Sequence, residues 1–160
     1  MSVDSARILN INDIDDIIAL YIELVGEEEI ISCNADRIDG VTAILEHPGT
    51  FMIGAEYEGE VVSMLTLHLL PNFTRLCRPY AVIENVVTKH RHQRSGFGRR
   101  VMDYAIALAE DSGAYKIMLQ TGLRGEAVGF YKKLGFKEGN KLGLSIRSAA
   151  ERIPLIERQN

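Results

Sequence analysis

The chain switches between two hydrophobic periods, and the switches mark its elements. Ile14, Ile17, Ile18, Tyr21 and Leu24 follow i, i+3, i+4 spacing, which predicts an amphipathic helix capped by Asn12 after a short strand at 6–9. A second helix is predicted over 36–46, stopped by Pro48 and Gly49. Residues 51–57 and 61–70 read as strands joined in a hairpin at Glu58, Gly59 and Glu60. Residues 80–88 read as another strand, dense in β-branched side chains and interrupted only by Glu84 and Asn85. From near Arg99, a stripe of Val101, Ala105 and Leu108 predicts a helix that Gly113 ends. A strand at 116–121 follows. Ala127, Phe130, Tyr131 and Leu134 then space a short helix stopped by Gly135, and Phe136 with 142–146 supply the last strand or strands. The tail from 148 to 160 is weakly patterned.

This order places an antiparallel hairpin before a strand-helix-strand unit, an α+β arrangement. No repeat or Pro/Gly/Ser linker divides the sequence, so a single domain over 1–160 is expected. The net charge of -4 gives no general attraction to nucleic acid or to an anionic membrane. No apolar run approaches the ~20 residues of a membrane span. Cys33 and Cys77 lack metal-ligand spacing and a Cys-x-x-Cys pair, which reads as free thiols in a reducing compartment. A soluble cytoplasmic protein without a bound metal is therefore expected.

Candidate chemistry concentrates between the fourth strand and the helix after it. The turn Gln93-Arg94-Ser95-Gly96-Phe97-Gly98 leads from strand to helix, where several backbone N–H groups and a positive dipole end converge on one anion. A dinucleotide fold would need a third glycine where Val101 stands, and a phosphate loop would need Gly-Lys-Ser/Thr; neither is present. Lys89, His90, Arg91, His92, Arg94, Arg99 and Arg100 make this segment basic in an otherwise acidic chain, which suits a polyphosphate.

Gln93-x-x-Gly96-x-Gly98 resembles the acyl-CoA pyrophosphate loop of the GNAT superfamily of N-acetyltransferases. Ile83-Glu84-Asn85-Val86-Val87-Thr88 resembles the family's fourth strand, and Phe130-Tyr131-Lys132-Lys133-Leu134-Gly135-Phe136 its late helix-to-strand signature. The likeness runs from 80 to 137 and is nearest to compact members such as glucosamine-phosphate N-acetyltransferases. It implies acetyl-CoA as acetyl donor, a primary amine of a small molecule as acceptor, and a homodimer. It places the pantetheine arm on backbone groups of Val86 and Val87, flanked by Thr88. The pyrophosphate falls on Gln93, Arg94, Ser95, Gly96, Phe97, Gly98 and Arg99. Where many relatives carry Asn against the cofactor arm, this chain has Arg124, which is expected to reach a phosphate or a substrate carboxylate. Arg75, Arg78 and Arg124 could serve a phosphosugar acceptor. A protein or peptide amine, or a CoA-binding regulatory module without turnover, stands as the alternative.

Acyl transfer to an amine faces a protonation barrier: an ammonium near pKa ~10.4 is neutral in about one part in 2,500 at pH 7, a cost of about 4.6 kcal/mol. Glu84, in mid-strand among apolar residues, is the candidate base, tuned by desolvation. Tyr131 is the candidate acid toward the leaving thiolate, and an N–H near Val86 the oxyanion donor. Cys77 has no His/Asp partner pattern that would make it an acyl-carrying nucleophile.

Overall fold

The computed structural model describes residues 6–122, 127–139 and 142–148. The chain divides into two compact units, 1–120 and 121–160.

In the first unit the strands β1 (Arg7–Ile8), β2 (Thr50–Tyr57), β3 (Glu60–Leu70), β4 (Tyr80–Thr88) and β5 (Ile117–Leu119) form one sheet in the order β1-β2-β3-β4-β5. Neighbours are antiparallel except for β4 and β5, which are parallel and joined through a helix. The hairpin between β2 and β3 is a two-residue turn in which Glu58 and Gly59 both have positive φ, the geometry that matches strand twist.

Helices α1 (Ile14–Val25), α2 (Asn34–Leu45) and α4 (Phe97–Asp111) cover the sheet, and a four-residue turn, α3 (Thr74–Cys77), with Arg75, Leu76 and Cys77 at positive φ, precedes β4. Met52 and Ile53 are adjacent on β2 and both buried, so the sheet is covered on both faces. Met52 and Met64 pack with Ile17, Leu20 and Val41 of α1 and α2. Helix α4 lies on β2, β3 and β4, with Val101, Met102, Ala105 and Ala109 buried.

Asn12 does not cap α1. Asn10 and Asp13 form a reciprocal capping box around a short 3-10 turn that leads into the helix. Asp13 also takes two bonds from the Arg7 guanidinium, at 2.9 and 2.7 Å, and Arg7 reaches Glu56 on β2. Those bonds hold the Asp13 carboxyl below its ordinary range against the opposing effect of partial burial.

In the second unit, α5 (Ala127–Lys133) ends at Gly135, whose φ is +95°. The expected last strand does not form among the described residues. Residues 136–139 and 142–147 carry no strand, and Leu142, Leu144 and Ile146 are almost fully exposed. Alternation states which side of a strand would be apolar, but not that a partner strand exists.

Candidate functional site

Strand β4 carries one residue too many for its neighbour. Met64 opposes Val87 and Thr66 opposes Glu84, so Leu65 alone faces Asn85 and Val86, which is a β-bulge. Asn85 absorbs the irregularity with a φ of +55°, a conformation that Asn tolerates better than most residues. The bulge breaks the in-out alternation and leaves both Glu84 and Asn85 exposed. Glu84 is thus at the predicted place, but the desolvation expected from its apolar neighbours is absent.

The bulge also marks where β4 loses its parallel neighbour. Pairing with β5 runs through Ala81, Val82 and Ile83 and ends there among the described residues. Beyond it, the Lys89 N–H bonds to the Val62 carbonyl at 2.8 Å, so alternation turns the backbone groups of Val87 toward β3 as well. The Val87 carbonyl also accepts from the Ser63 hydroxyl at 3.0 Å. Val86 and Thr88 point their backbone groups the other way, to the edge that β5 vacates. The Thr88 carbonyl there accepts from the Gln93 side chain at 3.3 Å. Of the residues expected to meet an extended ligand arm, Val86 and Thr88 face the edge away from β3, which has no strand partner among the described residues, whereas Val87 is engaged inside the sheet.

That edge leads into the glycine turn. Arg94 has a φ of +61° and Gly96 a φ of +89° at the N-cap of α4. No side chain caps this helix, and its first intrahelical bond is Arg100 N–H to Gly96 carbonyl, at 3.1 Å. The N–H groups of Phe97, Gly98 and Arg99 therefore have no helical acceptor. A Cβ built on Gly96 would meet nothing within 4 Å, so the space over these donors is open. Phe97 is buried, while Gln93, Arg94, Ser95 and Arg99 are exposed around the turn.

The basic run contributes less free charge than its sequence suggests. Lys89 and Arg91 both pair with Glu60 of β3, and these partners, Lys89 foremost, hold the Glu60 carboxyl below its ordinary range. Arg91 donates to His92 Nε2 at 3.0 Å. The His92 ring packs against Tyr57 and Phe97, with centroids 5.3 and 5.8 Å away. Arg99 lies 3.4 Å from Asp103, and Arg100 stacks on Phe97. What the turn offers an anion is mainly backbone N–H groups.

A cavity of about 360 Å³ lies between α1 and α2, and Asn85 of the bulge lines it. Ile18, Tyr21, Val41 and Ile44 form its helical walls, and Ile30, Ile31 and Arg37 its rim. The Tyr21 hydroxyl is 3.4 Å from Thr66 Oγ1 and also bonds to Asn85. Burial pushes that hydroxyl above the ordinary tyrosine range, with the two hydrogen bonds opposing. Tyr21 thus stays a neutral group that fixes the Asn85 side chain. In the sequence Tyr21 is one position of a helical stripe and Asn85 an interruption of a strand. The available signal was a polar-tipped aromatic and a poor strand former.

Tyr131 belongs to the second unit, half-buried on α5, with its ring 5.2 Å from that of Phe130 and 6.2 Å from that of Phe136. Arg124 lies outside the described residues. Arg78 bonds to the Gly113 and Ala114 carbonyls, and Arg75 stacks on Tyr115. Among the described residues no group of three His, Cys, Asp or Glu is placed to hold a metal ion. No helix there is long and apolar enough to cross a membrane.

Comparison with known proteins agrees with this geometry. Residues 14–136 match the model of the Acetyltransferase (GNAT) family. A solved structure from Agrobacterium tumefaciens str. C58, named "Putative acetyltransferase", is 36% identical, with a TM-score of 0.82 over 90% of this chain and 99% of its own. A glucosamine 6-phosphate N-acetyltransferase of Trypanosoma brucei brucei is 30% identical over 79 residues, 49% of this chain. The match spans only about half of that relative, 52%. The glucosamine-6-phosphate N-acetyltransferase of Arabidopsis thaliana shares the fold, with a TM-score of 0.74 at 22% identity over 92% of this chain and 100% of its own.

Proposed function

Because the chain belongs to the GNAT acetyltransferase family, we propose that it transfers the acetyl group of acetyl-CoA directly to the primary amine of a small molecule. One observation carries this reading: among the described residues β4 has no β5 partner beyond Ile83, and from there the chain leads through a 3-10 turn at His90–His92 to the uncapped N-terminus of α4. An extended amide-bearing arm fits the edge as an added strand would, and a pyrophosphate fits the helix end. The donor set suits acetyl-CoA, since Val86 and Thr88 present backbone groups and Gly96 leaves room for close approach.

When bound, acetyl-CoA supplies the acetyl carbonyl, to which the amine nitrogen bonds as the C–S bond breaks; one proton leaves nitrogen and one reaches sulfur. The Val86 N–H, at the bulge, is the donor for the carbonyl oxygen. Glu84 accepts the amine proton directly or through water, which its exposed position admits. The family likeness assigns Tyr131 the role of proton donor to the departing sulfur. Positioned proton transfers of this kind are worth about 10²- to 10⁴-fold each.

The test is thiol release from acetyl-CoA across a panel of amines. Amine-dependent release is expected. Tight CoA binding with no release to any acceptor would leave a CoA-binding regulatory module instead.

A further inference from the structure

The cavity between α1 and α2 speaks to the half of the reaction that the loop cannot choose. It touches the donor edge through Asn85, whose neighbours on β4 are Glu84 and Val86. Ile18, Ile30, Ile31, Val41 and Ile44 give it an aliphatic lining beside Tyr21, and Ile31 stays 58% exposed. Apolar surface left open around a concave site marks a binding surface.

The charges around the cavity disfavour an anion. Two carboxylates, Glu29 and Asp36, line it against one cation, Arg37. That guanidinium is already committed to Glu27 and to the Ile31 carbonyl. Of the cations expected to serve a phosphosugar, Arg75 and Arg78 are not among the lining residues, and Arg124 lies outside the described residues.

Gly40 adds an independent observation. It sits in the interior of α2, where glycine costs about 1 kcal/mol of helix stability relative to alanine. Its backbone requires no glycine, because its φ is not positive. A Cβ there would meet nothing within 4 Å, and the residue lines the cavity. Gly40 is exposed, so a larger side chain there would enter open space beside the cavity.

We propose that this cavity holds the body of the acceptor, that the acceptor is a small primary amine carrying an aliphatic or aromatic group and no phosphate, and that Gly40 sets the size accepted. This rests on the acetyl-transfer reading above and narrows its substrate class. The cavity is near the small end of the ~300–1,000 Å³ range for small-molecule sites, which limits the body to one ring or a short branched chain.

The experiment compares kcat/KM for ethylamine, butylamine, 3-methylbutylamine, 2-phenylethylamine, glucosamine, glucosamine 6-phosphate and a short peptide with a free N-terminus. Across the alkylamines, efficiency should rise about fourfold per added methylene until the cavity is full, and glucosamine 6-phosphate should be the poorest acceptor. Gly40→Leu should cut the ratio of 2-phenylethylamine to ethylamine by about tenfold or more, with CoA affinity unchanged and Tm unchanged or higher. Ile31→Asn, at an exposed position that should tolerate it, should lower the same ratio. Efficient acetylation of glucosamine 6-phosphate or the peptide, with poor use of the apolar amines, overturns this inference and leaves acetyl transfer standing. A ratio unmoved in a folded Gly40→Leu overturns the role of Gly40. CoA binding without turnover of any amine overturns both readings.

Discussion

Helix α4 carries a matched control for its own anion site. Gly96 at its start and Gly113 just beyond its end have φ of +89° and +77°, and a Cβ at either would meet nothing within 4 Å. Alanine at either position therefore costs only the left-handed strain, roughly 1–2 kcal/mol. For a chain of this size that lowers Tm by about 2–8 °C, by similar amounts in the two variants. Their effect on CoA should differ sharply. Gly96 is the N-cap residue, next to the N–H groups of Phe97, Gly98 and Arg99, whereas Gly113 lies beyond the opposite end of the helix. Losing one charge-assisted hydrogen bond to the pyrophosphate costs about 1.5–3 kcal/mol, which raises Kd about 10- to 150-fold. Titration calorimetry with CoA, paired with thermal unfolding, measures both quantities. The expected result is equal destabilisation with loss of affinity in Gly96→Ala alone. If the two variants bind CoA equally well, the helix N-terminus is not the pyrophosphate site.

Three further outcomes follow from the same geometry. Glu84→Gln should lower kcat by about 10²- to 10⁴-fold and flatten the rise of rate with pH while CoA Kd holds; an unchanged pH profile removes Glu84 from the base role. Tyr131→Phe should lower kcat within the same ~10²- to 10⁴-fold range without weakening CoA, and full activity would identify Tyr131 as a packing residue of α5. Asp13→Asn should cost about 1–3 kcal/mol at pH 7 through lost bonds to Arg7 and the Asn10 amide. Because the folded Asp13 carboxyl is held below its ordinary 3.8, its contribution is present above that value and is lost as pH falls through the folded pKa. The gap between urea titrations of the two proteins should thus begin to close as pH falls below 3.8 and vanish only beneath the folded pKa, and a constant gap would refute the assignment.

Strand β4 was legible to the residue, because a dense β-branched run depends on local chemistry alone. What the run concealed was the bulge. Asn85 at positive φ turns Glu84 outward, and nothing in an apolar strand announces an extra residue except a side chain that tolerates that conformation. Helix α4 begins at Phe97 rather than near Arg99 because a left-handed glycine, not a polar side chain, opens it. The basic run misled in a different way. Whether Lys89 and Arg91 face a phosphate or Glu60 is settled by strand pairing across about thirty residues, which no local pattern records. The Leu142, Leu144 and Ile146 alternation was legible as a pattern and still formed no strand among the described residues, since a strand needs a partner edge as well as a sequence.

The two halves of the proposed reaction are built from different material. The donor half uses backbone: the Val86 and Thr88 edge, and the N–H groups that open α4. Side-chain changes barely alter those groups, provided glycine remains where φ or close approach demands it, so this half leaves a short glycine motif in the sequence. The acceptor half uses side chains on α1, α2 and the segment between them, with only Asn85 drawn from the sheet. Substitutions there reshape the cavity without touching the donor track. One extra residue in β4 joins the halves, because the same bulge that frees the strand edge also puts Asn85 on the cavity wall, held by Tyr21. Acceptor choice can therefore change while donor chemistry stays fixed, and the substrate is better sought in the lining of α1 and α2 than in the loop.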